Sequence, residues 1–480
     1  MQLYIHNDLT IKPYNEKLYS VYIHRNRVSF MDEGTLECLL MIGKGLEEED
    51  FKAAISVKFP LVRANKLINR LLNQEILTYN QPKYAWISNN FGASRISHEE
   101  AGAVMEVLNS KRLFRYGELT LDSLRHLRYS PCTRLEHEIS KLIGTRYCLA
   151  VNSGTSALLC AFKALGIGEG DEVICPTFNY IGSATSMMHF GATPVLCNID
   201  NTFMLCPEEA EQRITSNTKA IICSHLQGKA ARVKELQSIA KKHNIFLIED
   251  CAQSFGAFYD DQALGSFGDV ACFSFHEHKV LSSGEGGALV TNNQEIYEKA
   301  LLYSDASLLY MHSKYLPGFP AQNMRLSELH AAIFMEQMKK LDLFANHLRS
   351  LHRLMTQKLS LLPNVDLQTI ENYEGYIPQS IYIGMKSQDI AVQLAEFLRG
   401  IGVQAKTLYN EKEITTNVFM HWPCLLEKTG VHASTETQYS RTADLLSRTV
   451  TLSFGLDITE ELVDKVSDEI VQFCSPLGMK

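Results

Sequence analysis

Of the 480 residues only two are tryptophan, no apolar run is long enough to span a bilayer, and basic charge is not in excess. The N-terminus, MQLYIHNDLT, lacks the basic region followed by an apolar run that marks a secretory leader. Together these absences predict a cytoplasmic protein without a membrane segment. The formal net charge of -8 argues against a generally nucleic-acid-binding surface. Twelve cysteines are scattered without a CxxC pair, which speaks against a zinc site or a disulfide scaffold and for reduced thiols. What is present is 45% hydrophobic and 21% charged residues, enough at this length for a large core and more than one domain.

The most informative stretch is FSFHEHKVLSSGEGG, residues 273–287, which sets Lys279 between a strand-like apolar run and a glycine-rich turn. Glycines there would let the backbone approach a flat cofactor closely. A lysine amine becomes a nucleophile toward carbonyls once burial or nearby positive charge lowers its pKa, and it can then form a Schiff base with pyridoxal phosphate. A lone lysine before GEGG reads more simply as a solvated surface group. Its partners change that balance.

Upstream, HNIFLIEDCAQSFGA reads as a short buried strand, Ile245 to Ile248, ending in Glu249 and Asp250, where α/β folds present site residues. An electron-sink cofactor works best with its ring nitrogen protonated, and a buried aspartate beside that nitrogen favours the charged form. Asp250 fits this need, with Gln253 one turn further on as a donor to the ring hydroxyl. CLAVNSGTSALLCAFKALGIG, residues 148–168, reads as strand, tight turn, and an amphipathic helix opening near Thr155. A helix N-terminus offers unpaired N–H groups and a favourable dipole to a phosphate, with Thr155 and Ser156 as candidate ligands. Alone, an SGTSAL turn is more often a simple cap.

In this order the words resemble the DegT and StrS family of sugar aminotransferases, pyridoxal-phosphate enzymes of the aspartate aminotransferase superfamily. The likeness runs from about residue 97 to 470 through SHEEAGAVMEVLNSKRLFRYG, SGTSAL, GDEVICPTFNYIGSATSMMHFGATPV, TKAIICSHLQG, EDCAQSFGA, the lysine motif and QNMRLSELHAAIFMEQMKKLD. The resemblance implies that Lys279 holds the cofactor covalently, Asp250 pairs with the pyridinium, and Gln253 meets the ring hydroxyl. It further implies that Ser274, five residues before the lysine, binds phosphate, and that Tyr180 in CPTFNY stacks on the ring, with Phe178 as the alternative and the core as the plain reading of either. Asn323 in QNMRLSEL resembles an asparagine that reaches the phosphate of a neighbouring subunit, which implies a homodimer with shared sites.

A branch of the family has histidine in place of the lysine and dehydrates its substrate; lysine here favours transamination. The released amine of Lys279 would then shuttle a proton as general acid and base. KRLFRYG, KVLSSGEGG and LSELHAA look closer to cyclitol-ketone enzymes than to nucleotide-sugar enzymes. Where the family commonly carries leucine-proline near the C-terminal substrate loop, this chain has LSFG, Leu452 to Gly455.

Other clusters read as structural. His276, Glu277 and His278 offer no further ligand spacing, so no metal is expected. His225 in SHLQG reads as support for the site strand, and Cys251 as a small buried hydrophobe.

The expected architecture is an α/β aminotransferase fold. A large cofactor-binding domain spans 97–344, with a mostly parallel sheet of seven strands, the count owing partly to the resemblance. A small C-terminal α/β domain spans 345–480. Alternation of CLAV, EVIC, PVLC, AIIC, FLIE, VACFSF and GALVT with helical segments supports parallel crossovers.

Residues 1–90 have no counterpart in the family. SVYIHRNRVSF alternates like a strand, MDEGTLECLLMIG and EEEDFKAAISVKF have helical spacing, Pro60 opens a third helix through Asn73, and ILTY reads as a returning strand. This is the order of a small winged-helix α+β module, followed by a linker at 80–95.

The expected reaction is amino transfer from glutamate or glutamine to a ketone on a sugar or cyclitol-like substrate, in secondary-metabolite or surface-glycan biosynthesis. One alternative is a peptide- or carrier-bound ketone recruited by residues 1–90 through strand addition, set beside the plain reading of a structural module that packs on the dimer or covers the active-site entrance. Another is a winged-helix transcriptional regulator with a cofactor-sensing domain, for which Arg63, Lys66 and Arg70 would form the basic face of the third helix.

Overall fold

The computed structural model describes residues 4–5, 9–15, 18–23, 26–32, 77–78, 83–84, 86, 91–115, 130–306, 319–368, 370, 373–409, 417–419, 422–423, 425 and 439–475. The chain falls into two units, residues 1–87 with 400–402, and residues 88–399 with 403–480.

In the first unit, β1 (Tyr4–Ile5) pairs antiparallel with β5 (Leu77–Thr78), while β2 (Leu9–Asn15), β3 (Leu18–Ile23) and β4 (Asn26–Asp32) form an antiparallel three-stranded sheet. The stretch SVYIHRNRVSF, expected as one strand, is divided between β3 and β4, with Ile23 paired to Asn26. Period-two alternation cannot register a reversal that carries no glycine or proline. The returning strand expected at ILTY corresponds to β5. The three expected helices, and with them the winged-helix order and the basic face at Arg63, Lys66 and Arg70, lie outside the described residues.

The second unit begins with α1 (His98–Ser110) and α2 (Pro131–Ile143). In α2 the local signals agree: Ser130 caps the Thr133 N–H, proline fills the first turn, and Gly144 stops the helix at φ +77°. Then come β6 (Tyr147–Val151), α3 (Gly154–Ala164), β7 (Glu172–Pro176), α4 (Ile181–Met188), β8 (Thr193–Cys197), α5 (Pro207–Gln212), β9 (Thr218–Ser224), α6 (Val233–His243) and β10 (Phe246–Asp250). A short hairpin of β11 (Phe258–Tyr259) and β12 (Gln262–Ala263) leads to β13 (Val270–Ser274) and β14 (Gly287–Thr291).

These strands make one seven-stranded sheet in the order β6-β14-β13-β10-β9-β7-β8. The pairs from β13 through β10, β9 and β7 to β8 are all parallel, and β14 runs antiparallel to both β13 and β6. Helices cover the sheet, so most of its strand residues are buried, which is why they read as short, nearly continuous apolar words. Leu149, Phe162, Ile222, Ile248, Cys272 and Leu289 belong to the shared core. The strand expected from Ile245 and ending in Glu249 and Asp250 starts one residue later, at Phe246, and its last two residues pair with Ala271 and Cys272 of β13.

Beyond the sheet lie α7 (Gln294–Ser304), α8 (Glu328–Met338) and α9 (Leu341–Leu359). A four-stranded antiparallel sheet follows, β15 (Asp366–Leu367), β16 (Ser380–Gly384), β17 (Ala405–Thr407) and β18 (Thr449–Ser453) in the order β15-β16-β18-β17. It is accompanied by α10 (Gln388–Gly400), α11 (Ser440–Ser447) and α12 (Glu460–Cys474), the last packed on α9. The expected domain boundary near residue 345 falls within α9. No helix among the described residues is long and apolar enough to cross a membrane.

Candidate active site

Sites in open α/β sheets form beyond the carboxyl ends of the strands, and the expected residues gather there. At the end of β6, Ser153 caps α3 by accepting the Ser156 N–H at 3.0 Å. Its carbonyl takes the Ala157 N–H at 3.1 Å. The N–H groups of Gly154 and Thr155, first in the helix, meet no protein acceptor among the described residues and are free for an anion. Thr155 is exposed, whereas the buried Ser156 hydroxyl bonds Asn152 Oδ1 at 2.6 Å, so Ser156 reaches an anion only by releasing that bond.

Ser274, last in β13, flanks this helix end. A Cβ on Gly154 would lie 2.8 Å from Ser274 Cβ, and one on Gly287 would lie 2.5 Å from the Ser153 carbonyl. The glycines therefore seat the helix N-terminus on β13 and β14. This revises the expected role of the GEGG turn: Gly287 approaches the helix cap, and Gly286, at φ +151°, turns the backbone where other residues are strained.

Lys279 lies in the loop between β13 and β14, anchored where its carbonyl accepts the Gly92 N–H at 3.2 Å and its N–H donates to His276 O at 2.9 Å. Burial lowers the basicity of its amine, and the charge of Asp250 opposes that lowering, which ties the two side chains electrostatically. The amine has no hydrogen-bond or ion-pair partner among the described residues.

Asp250 ends β10 nearly buried, accepting the Ser183 hydroxyl on Oδ2 at 2.5 Å and the Ala252 N–H on Oδ1 at 3.1 Å. Gln253 accepts the Gln227 backbone N–H at 2.9 Å and Gln227 Nε2 at 3.2 Å on its Oε1, which leaves its own NH2 as the outward donor. Between the two aromatic candidates, Phe178 is 3% exposed and bridges to Val418, while Tyr180 is 50% exposed. The Tyr180 ring packs over Gly182, beside Thr155.

Asn323 is exposed, in a segment whose neighbours Met324 and Arg325 pair with Asn152 and Val151. The structure thus brings Lys279, Asp250, Gln253, Ser274, Tyr180 and Thr155 to one end of the sheet. It sets Asn323 at the surface. Ser183 and Gln227 escaped the sequence reading, because a serine or glutamine inside a run such as IGSATS or SHLQG carries no sign of which distant partner it meets.

The residues read as structural have structural surroundings. Fully buried Glu249 accepts the N–H groups of Gly265, Phe267 and Gly268 at 2.7–2.9 Å. His225 Nδ1 accepts the Ala231 N–H at 3.1 Å, so Nε2 carries the proton toward Glu249, 3.1 Å away. Cys251 completes a buried group with ligand atoms within 4.8 Å of one another, but the histidine lone pair and the carboxylate oxygens are already occupied. Burial first, and then the negative charge of Glu249, holds the Cys251 thiol well above its ordinary pKa.

These residues suit pyridoxal phosphate. The free N–H groups at the helix end can donate to its phosphate, a buried carboxylate can face its ring nitrogen, and the Lys279 amine of lowered basicity can hold its aldehyde.

Comparison with known proteins agrees. Residues 109–471 match the DegT/DnrJ/EryC1/StrS aminotransferase family. GDP-perosamine synthase of Escherichia coli O157:H7 is 35% identical over 249 residues, 52% of this chain and 68% of that protein. L-glutamine:2-deoxy-scyllo-inosose aminotransferase of Streptoalloteichus tenebrarius is 33% identical over 270 residues, 52% and 64% of the two chains. The crystal structure of 3-amino-5-hydroxybenzoic acid synthase superposes with a TM-score of 0.70 at 22% identity, covering 81% of this chain and all of that one. The chain belongs to the DegT/DnrJ/EryC1/StrS family and is a pyridoxal-phosphate-dependent aminotransferase.

Proposed function

We propose that the enzyme moves an amino group from glutamate or glutamine to a ketone on a sugar or cyclitol-like acceptor, in the making of a surface glycan or secondary metabolite. The observation that carries this reading is Lys279, a half-buried amine without a bonded partner among the described residues, coupled to Asp250 at the strand ends beside an open helix N-terminus. The acceptor class follows relatives named for a GDP-sugar and for a deoxy-inosose.

Bound pyridoxal phosphate supplies an electron sink for the carbon that gains or loses the amino group. The N–H groups of Gly154 and Thr155, with the hydroxyls of Thr155, Ser156 and Ser274, hold its phosphate. Asp250, oriented by Ser183, would serve the ring nitrogen, Gln253 would donate to the ring hydroxyl, and Tyr180 would cover a ring face. Lys279 would anchor the cofactor, and its free amine would hold and deliver a proton at Nζ as general acid and base. Asn323 serves the phosphate of a second copy in a homodimer. The division into 97–344 and 345–480 is retained as the catalytic and C-terminal domains. Residues 1–90, which precede the family match at residue 109, are proposed as a winged-helix-like module that is either structural or recruits a peptide or carrier.

The test is optical. The purified protein with pyridoxal phosphate is expected to show a visible band that shifts when glutamate or glutamine is added, and borohydride is expected to fix the cofactor on Lys279. A Lys279→Ala protein that keeps a borohydride-reducible adduct overturns the proposal.

A further inference from the structure

The turn after β9, SHLQGK, is built more tightly than a connection requires. Gln227 lies in the left-handed region at φ 55° and ψ 35°, a conformation that costs a residue with a side chain free energy and that concentrates at functional sites. Gly228 follows at φ +74°, and a Cβ there would lie 1.8 Å from the Ile377 carbonyl oxygen. The two residues are gripped by the strand-like segment 377–379: Ile377 N–H donates to Gly228 O and Gln379 N–H to Gln227 O, each at 3.1 Å. At the base of the turn, the bonds of His225 to Glu249 and Ala231 fix its start.

All of this restraint converges on one side chain. The backbone N–H and the Nε2 of Gln227 both donate to Gln253 Oε1, and Gln379 Nε2 donates to the Gln253 carbonyl at 2.6 Å. Turning the Gln253 amide over would set its NH2 against two donors and lose both bonds. From this geometry we infer that Gln227 is a positioning residue: its left-handed backbone and side chain lock the Gln253 amide with NH2 toward the cofactor's ring hydroxyl. The segment around Gln379 holds the lock in place. The inference rests on the cofactor pose proposed above and adds to it the residue that sets a ligand's orientation.

The experiment uses the full-length protein, stripped of cofactor and titrated with pyridoxal phosphate. The dissociation constant and the pH midpoint of the visible band are measured for wild type, Gln227→Ala, Gln253→Ala, the double variant and Gln227→Asn. Loss of an orienting hydrogen bond predicts that Gln227→Ala weakens binding about three- to tenfold and moves the midpoint in the same direction as Gln253→Ala. Because Gln227 acts through Gln253, the double variant should match Gln253→Ala alone, the non-additivity expected of coupled neighbours. Gln227→Asn keeps the backbone donor, as the alanine variant does, but its short amide side chain also suits the left-handed geometry, so it should stay within about twofold of wild type. It also serves as the folded comparator should the alanine variant fail to fold, in which case a tenfold loss in Gln227→Asn counts against the lock.

Additive effects, or a Gln227→Ala protein with unchanged binding and midpoint, overturn the inference while leaving the proposed function standing. A wild-type protein that forms no visible band overturns both.

Discussion

Two amines, half-buried Lys279 and fully buried Lys229, show how surroundings divide one chemistry into different roles. Lys279 is coupled to Asp250 at the strand ends, where a carbonyl ligand can meet it. Lys229, 1% exposed, bonds Gln368 Oε1 and lies 4.8 Å from the centre of the Tyr382 ring, with no carboxylate at ion-pair distance among the described residues. Burial draws its pKa down from 10.5 to about 7. Between those values the unfolded chain binds the proton that the folded chain releases, so stability rises with pH across the window, and below about 7 the full cost of a buried charge is felt. Lys229→Met is therefore expected to raise the stability of the full-length protein by about 1–3 kcal/mol at neutral pH. Thermal melts across the window should show that gain shrinking as the pH approaches 10.5; a gain independent of pH would mean that packing, not charge, is responsible. Lys279 and Asp250 were legible in the sequence because each stands beside a local signal, a glycine turn or a strand end. The burial of Lys229 was not, because it depends on Gln368 and Tyr382, far along the chain.

Local signals also made most elements of the catalytic sheet readable, since strands buried between helices spell short apolar words and helix ends announce themselves through Ser130, Pro131 and Gly144. What they could not show is how one element seats on another. Gly287 of β14 looked like part of a loop made for close approach to a cofactor, yet its contact is with the cap of α3. An alanine there meets the backbone of Ser153 and Gly154 at 2.5–2.7 Å, neighbours that cannot swing aside, so the helix end must move. Gly287→Ala is expected to cost about 1–3 kcal/mol in a denaturant melt. It should also weaken pyridoxal-phosphate binding at least about tenfold, because phosphate binding depends on the aim of the helix N–H groups; unchanged affinity would remove α3 from the phosphate site. Glu100 makes a second junction, joining α1 to α8 and the start of α9 through Gln337 at 2.7 Å and Lys340 at 2.6 Å. Burial alone would raise its pKa, but bonds from Lys340, the Ser97 N–H and Gln337 outweigh it and bring the carboxyl down to about 2. The stability this supplies is complete above the ordinary value of 4.5 and is lost as pH falls through about 2. Glu100→Gln should cost about 1.5–3 kcal/mol at pH 7, with the difference from wild type narrowing in melts taken toward pH 3.

At the scale of the whole molecule, the second unit carries several exposed apolar side chains among the described residues. Met105, Leu108 and Leu113, on α1 and just beyond it, are 43–55% exposed, and Met105 and Leu108 share a helix face. Soluble monomers seldom leave such groups together at the surface, and a second copy is the usual cover in symmetric oligomers. The homodimer proposed here makes a stoichiometric forecast, since it assigns Lys279 and Asn323 of one site to different chains. Lys279→Ala lacks the anchoring amine, and Asn323→Asp opposes a carboxylate to the phosphate, so each homodimer should be nearly inactive. When equal amounts of the two chains exchange partners at random, half of the dimers are mixed, and each mixed dimer holds one site in which both residues are native. The donor half-reaction, followed as the shift of the visible band on adding glutamate or glutamine, should recover to about one quarter of the wild-type amplitude. A mixture no more active than the sum of its parents would assign Asn323 to its own chain's site or to none, and the shared-site dimer would fall with it.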